Sequence, residues 1–148
     1  MIYREEYRDL FSVSNEYYLA HCISADFGMG KGIATLFNKH YDMKNTLQLK
    51  YRDYVNIWHS KGYIGDCILE GRVFNLITKE RYWHKPTYYS MLIALESMYN
   101  ICINTGIRKI AMPIIGCGLD RLEWEKVSLL IKQTFEHLED MEILVCIQ

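Results

Sequence analysis

Apolar and polar positions change period several times along the chain. Ile2 to Tyr7 (IYREEY) predicts an edge strand. Tyr17 to Ser24 (YYLAHCIS) is a mostly apolar run ending in polar residues, which predicts a buried strand. GKGIATLFNKHY then opens a helix with Ile33, Leu36, Phe37 and His40 or Tyr41 on one face. LQLKYRDYV, from Leu47 to Val55, predicts a further short helix. Tyr63 to Thr78 (YIGDCILEGRVFNLIT) predicts two strands joined at Glu70-Gly71. Between Tyr88 and Thr105, the residues Met91, Leu92, Leu95, Met98, Tyr99 and Cys102 fall at helical spacing, and Gly106 supplies the C-terminal stop. IRKIAMPII (Ile107 to Ile115) predicts a buried strand. Trp124, Val127, Leu130, Ile131, Phe135 and Leu138 mark a second amphipathic helix, and Met141 to Ile147 a closing strand.

Strands separated by helices imply an α/β layered domain with a mixed, mostly parallel sheet. Ligands of such sheets bind beyond the carboxyl ends of the strands. Three segments leave a strand there with unusual chemistry: SADFGMGKGIA, LITKERYWHKPTY and PIIGCGLDRLEWE. The length of 148 residues suits one domain spanning residues 1–148. Half of the residues are apolar and 24% are charged, the balance of an ordinary globular chain. A net charge of −1 argues against a large duplex-binding surface and leaves room for recognition of a single nucleotide or a nucleic-acid end. The chain carries no apolar run long enough to span a membrane and no signal-peptide core, so a cytoplasmic location is expected. The five cysteines are odd in number and widely spaced, as buried free thiols are.

Gly28 to Gly32 (GMGKG) precedes a helix whose free N–H groups suit a phosphate or diphosphate, although the spacing matches neither the P-loop nor the dinucleotide fingerprint. The alternative is a flexible strand-to-helix loop. GCGLD is a second loop of this kind, and two such loops at helix starts could grip one diphosphate. Cys117 has the position of an elbow nucleophile but no histidine placed beside it by sequence. Asp120-Arg121-Leu122-Glu123 has the form of a capping box, so Asp120 could cap the following helix, serve in catalysis, or both. Lys79 ends a buried strand. As a nucleophile it needs a neutral amine, made so by burial or by a base that takes its proton. No histidine or cysteine spacing points to a metal. His21 and Cys22 are strand neighbours, so their side chains point to opposite faces.

Taken together, AHCIS…MGKGIA, LITKERYWHKPTY and MPIIGCGLDRLEWE, with RDLF near the start, resemble the macrodomain family, specifically its terminal ADP-ribose glycohydrolase branch. The likeness runs over nearly the whole chain. It implies a three-layer α/β/α sandwich that binds ADP-ribose without metal or cofactor. On this resemblance Asp9 would bind the adenine amino group, with Leu10 beside the base. Ser24, Gly30, Gly32 and Ile33 would line the diphosphate and distal ribose, and Ile115, Gly116, Cys117, Gly118 and Leu119 would wrap the diphosphate. Lys79 would attack the anomeric carbon of the distal ribose, or its opened aldehyde form, with Asp120 as acid/base partner. The implied partners are ADP-ribosylated protein (Glu or Asp esters), ADP-ribosylated DNA (thymine) or acetylated ADP-ribose, and a monomer is expected. A reader that binds without hydrolysis and an ADP-ribose 1″-phosphate phosphatase are the alternatives. Lys31 between glycines, the bulky Tyr82 and Trp83, and the VCIQ end depart from the family pattern.

Overall fold

The computed structural model describes residues Met1 to Gln148. Its strands are β1 (Ile2–Tyr7), β2 (Tyr18–Ser24), β3 (Asp66–Glu70), β4 (Val73–Lys79), β5 (Lys109–Met112) and β6 (Glu142–Ile147). Its helices are α1 (Ala34–Tyr41), α2 (Met43–Lys50), α3 (Tyr54–Lys61), α4 (Tyr88–Thr105) and α5 (Trp124–Phe135), with a 3-10 turn at Leu10–Ser12. The strands form one sheet in the order β1-β6-β5-β2-β4-β3. Every neighbouring pair is parallel except the β3–β4 hairpin. The class read from the sequence, a mixed and mostly parallel α/β sheet, is the one found.

Strand alternation builds the layers. Leu19, Ile23, Val73 and Ile77 point to one face and join Phe37, Leu47 and Trp58 from α1, α2 and α3. Ala20, Phe74, Leu76 and Ile110 point to the other face and join Met91, Leu95, Val127 and Ile131 from α4 and α5. Helices therefore cover both faces, and six consecutive residues of β4, Val73 to Thr78, are buried. Such double coverage makes a central strand read as one apolar run rather than an alternation. No helix is long and apolar enough to cross a membrane.

Several boundaries differ from the sequence reading. The single short helix expected over Leu47–Val55 is instead the end of α2 and the start of α3. The chain breaks between them, with Asp53 in the left-handed region at φ 64°. The expected strand Ile107–Ile115 is only β5, because Pro113 offers no N–H to extend the ladder. On α1 the buried stripe is Ala34 and Phe37, whereas Leu36 is exposed and His40 lies flat on Phe11 at 4.3 Å. Helix α4 and its Gly106 cap, at φ 81°, fall where expected.

Candidate active site

The carboxyl ends of β2, β4 and β5 lie side by side, and the loops leaving them are tied together. The β2–β4 register slips between Ile23 and Ser24: Ile23 pairs with Ile77, but Ser24 pairs with Lys79. Thr78 is the extra residue, and such a bulge re-aims the side chains around it. Beyond it, Ala25 N–H donates to the Lys79 carbonyl at 2.9 Å and Asp26 N–H to the Glu80 carbonyl at 3.1 Å. The Asp26 carboxylate accepts from the Ser24 hydroxyl, from Gly28 N–H at 3.2 Å and from Tyr82 N–H at 3.1 Å. Gly28 is packed so closely on this segment that a Cβ there would lie 2.5 Å from Tyr82 Cβ. Asp26 thus holds the first glycine loop against the segment after Lys79. The sequence reading missed it, although an Asp two residues before a Gly is a legible turn signal.

The second loop closes over the first. A Cβ on Gly32 would sit 3.8 Å from Leu119 Cδ1. Gly116 has φ +74°, a conformation that favours glycine, and a Cβ there would also crowd Met91 Cε of α4 at 2.7 Å. The loop then turns on itself, with Leu122 N–H donating to the Gly116 carbonyl at 2.8 Å and Arg121 N–H to the Gly118 carbonyl at 3.2 Å. This turn corrects the capping reading. Helix α5 begins at Trp124 with Glu123 at its N-cap, and no side chain caps it. Asp120 lies outside the helix, and GCGLD is not at a helix start. The capping box is at α4 instead, where Ser90 N–H donates to the Thr87 hydroxyl at 3.0 Å and Thr87 N–H to the Ser90 hydroxyl at 2.9 Å.

Freed from capping, Asp120 reaches across the cleft. Lys79 Nζ donates to Asp120 Oδ1 at 2.6 Å, with only 12% and 16% of the two side chains exposed. Lys85 Nζ donates to the Leu119 carbonyl at 2.6 Å and latches the second loop to the segment after β4. Cys117 is half-buried, its thiol donating to the Ile115 carbonyl at 3.2 Å. Burial, with Asp120 adding to it, pushes that thiol up to about 11, so it stays protonated at neutral pH. Burial raises the neighbouring Cys22 thiol as well. Neither is an activated nucleophile.

Asp9 stands at the far edge, just after β1. Its carboxylate accepts from Phe11 N–H at 3.1 Å and caps the turn that buries Leu10. Phe11 packs edge-on against Phe37 at 5.1 Å, which joins this turn to α1 and hence to the first loop. Ser24 is buried, Ile33 is half-buried, and Gly30, Lys31 and Gly32 are exposed along the same opening. No group of three or more His, Cys, Asp or Glu side chains is placed to hold a metal ion.

No family model matches the chain. The macrodomain of Mycobacterium tuberculosis DarG superposes with a TM-score of 0.81, covering 98% of this chain and 97% of that one at 20% identity. Human ADP-ribose glycohydrolase OARD1 is 43% identical over 129 residues, which are 86% of this chain and 80% of that protein. The chain belongs to the macrodomain family, in its OARD1 branch. A DNA ADP-ribosyl glycohydrolase of Mycobacterium tuberculosis is 27% identical over 79% of this macrodomain, matching 34% of its own length.

Proposed function

We propose that the chain is an ADP-ribosyl hydrolase that frees an acceptor carboxylate, with Lys79 as nucleophile and Asp120 as its proton partner. The 2.6 Å contact between these two shielded side chains carries the reading. Most lysine ion pairs lie in open solvent; this one sits where three strand-end loops converge, in a family whose human relative is named an ADP-ribose glycohydrolase. Asp9 and Leu10 take the adenine. Ser24, Gly30, Gly32 and Ile33 on one side, and Ile115 to Leu119 on the other, take the diphosphate and distal ribose. Every residue comes from one chain, so a monomer suffices.

A proton passes from Lys79 to Asp120, leaving a neutral amine and a neutral carboxyl group. The amine nitrogen forms a bond to the anomeric carbon while the carbon–oxygen bond to the acceptor breaks. The electron pair leaves on the acceptor carboxylate, and the nitrogen carries the balancing positive charge. Water then displaces the lysine, its oxygen staying on the sugar and one proton going to the amine. Asp120 returns its proton to solvent, which restores the charged pair. No metal or cofactor enters these steps.

The similarity to a DNA ADP-ribosyl glycohydrolase favours a second acceptor class, thymine in DNA. Lys31, Arg81, His84, Lys85 and Arg121 flank the opening and would attract a polyanion, so turnover of a DNA acceptor should fall with added salt. Mass spectrometry of products from ADP-ribosylated protein, DNA and acetylated ADP-ribose tests the reading. Release of free ADP-ribose from a carboxylate ester is expected. Tight ADP-ribose binding without any product over hours identifies a reader instead, and phosphate release from ADP-ribose 1″-phosphate a phosphatase.

A further inference from the structure

A recess opens beside Lys79, on its side away from the glycine loops. Its volume is about 420 Å³, and Trp58, Tyr63, Thr78, Lys79, Lys85 and Ser90 are among the residues lining it. The strand order sets its place. Asp9 stands beyond β1, the two glycine loops leave β5 and β2, Lys79 ends β4, and the recess lies beyond Lys79 toward the β3 edge. A ligand stretched from Asp9 to Lys79 therefore directs whatever is attached to its reacting carbon into this recess.

Three features give the recess a chemistry. Thr78 is the bulge residue; it is 1% exposed, and its hydroxyl has no hydrogen-bond partner. A buried hydroxyl without a partner costs stability, and of the partnerless buried groups only this one borders the recess, where an entering acceptor oxygen would satisfy it. The first turn of α4 faces the recess through Thr87 and Ser90, and the N-terminus of this 18-residue helix carries partial positive charge. Lys85 lies at the rim, bonded to a neutral carbonyl that leaves its charge uncompensated. One carboxylate, Glu80, also borders the recess, but it is engaged by His59 Nδ1 at 2.9 Å and Arg81 Nε at 3.8 Å.

We propose that this recess is the acceptor subsite, and that it receives the carboxyl-bearing side chain esterified to the distal ribose. This rests on the hydrolase reading above. As the anomeric carbon–oxygen bond breaks, the departing oxygens gain the electron pair. The Thr78 hydroxyl donates to one of them, while the α4 N-terminus and Lys85 stabilise the new charge. Thr78 acts on the leaving group, not on the ADP-ribose already held by the loops. Tyr63 and Trp58, 5.9 Å apart and edge-to-face, form an apolar wall for the methylenes of the acceptor side chain.

The test uses Thr78→Val, which keeps the β-branched shape and removes the hydroxyl, and Thr78→Ser, which restores it. Both are measured on a glutamate-ADP-ribosylated peptide, an ADP-ribosylated single-stranded oligonucleotide and free ADP-ribose. Expected is a loss of about tenfold or more in kcat on the peptide for Thr78→Val. Recovery in Thr78→Ser and an unchanged ADP-ribose affinity should accompany it. Among esters of differing acidity, the loss should grow as the leaving acid weakens. Wild-type kcat in Thr78→Val, or an equal loss of ADP-ribose affinity, overturns the subsite. A loss on the oligonucleotide alone assigns the recess to a nucleobase and overturns the carboxylate. Wild-type protein that binds ADP-ribose yet turns over no acceptor defeats the hydrolase reading itself, a result separate from any effect of Thr78.

Discussion

Strand β4 carries Asn75 and Lys79 four residues apart, and their fates differ. Asn75 is fully buried and faces His21, its register partner on β2, with His21 Nε2 and Asn75 Oδ1 2.7 Å apart. Asn75 Nδ2 also donates to the Ile68 carbonyl at 3.2 Å, and the His21 ring stacks on Phe37 at 3.8 Å. Lys79 meets Asp120 at a similar distance, but at the strand mouth, where loops rather than neighbouring strands surround it. The inner pair is closed on every side and holds strands in register. The outer pair is shielded from most water yet open toward the cleft. Polar groups on a buried strand are thus closed in or left facing a cleft according to what lies beyond them, not according to residue type.

The sharpest way to break this comparison is to cut each pair. Lys79→Ala should lower turnover of an ADP-ribosylated ester by about 10³-fold or more, and Asp120→Asn by about 10²-fold or more. Both variants should stay folded in urea titrations and still bind ADP-ribose. Near-normal rates in either would place the chemistry elsewhere. Asn75→Leu should do the reverse. It leaves His21 Nε2 without a partner in the core and should cost about 2–3 kcal/mol in urea unfolding, with activity per folded molecule preserved.

The inner pair also predicts a pH dependence. Burial holds the His21 ring at about 4, below its ordinary 6.5, partly offset by its bond to Asn75. Between these values the unfolded chain binds a proton that the folded chain does not. The corresponding stability is fully present above pH 6.5 and is lost as pH falls toward 4, an amount of about 3 kcal/mol. His21→Gln should flatten that part of the stability profile; an unchanged slope would mean that His21 is not its source. The smallest effect belongs to the residue that looks most reactive in sequence. Cys117→Ala should change turnover less than about threefold, because its thiol is protonated and already bonded within the loop. A larger loss in a stably folded variant would return Cys117 to the chemistry.

Much of this was legible before the structure. Continuous apolar runs marked β2 and β4, helical spacing fixed α4, and LITK with GCGLD singled out the lysine and aspartate that form the outer pair. What sequence could not supply was the path of the loops. Asp120-x-x-Glu123 has the composition of a cap, yet the turn closed by Gly116 and Leu122 keeps Asp120 out of α5 and turns it toward Lys79. The inner pair escaped notice because His21 and Asn75 are 54 residues apart and only strand register joins them. Thr78 escaped for a related reason, since a one-residue slip in pairing leaves no mark in composition. The break between α2 and α3 rests on a left-handed Asp53, which no periodicity reveals.

The central claim is that Lys79 forms the covalent bond. Rapid acid quenching of turnover on an ADP-ribosylated ester, followed by peptide mass spectrometry, tests it directly. The account predicts a peptide carrying one ADP-ribosyl unit on Lys79, absent when Lys79 is replaced by alanine. Full turnover with unmodified Lys79 throughout, or the adduct on Cys117, would contradict it.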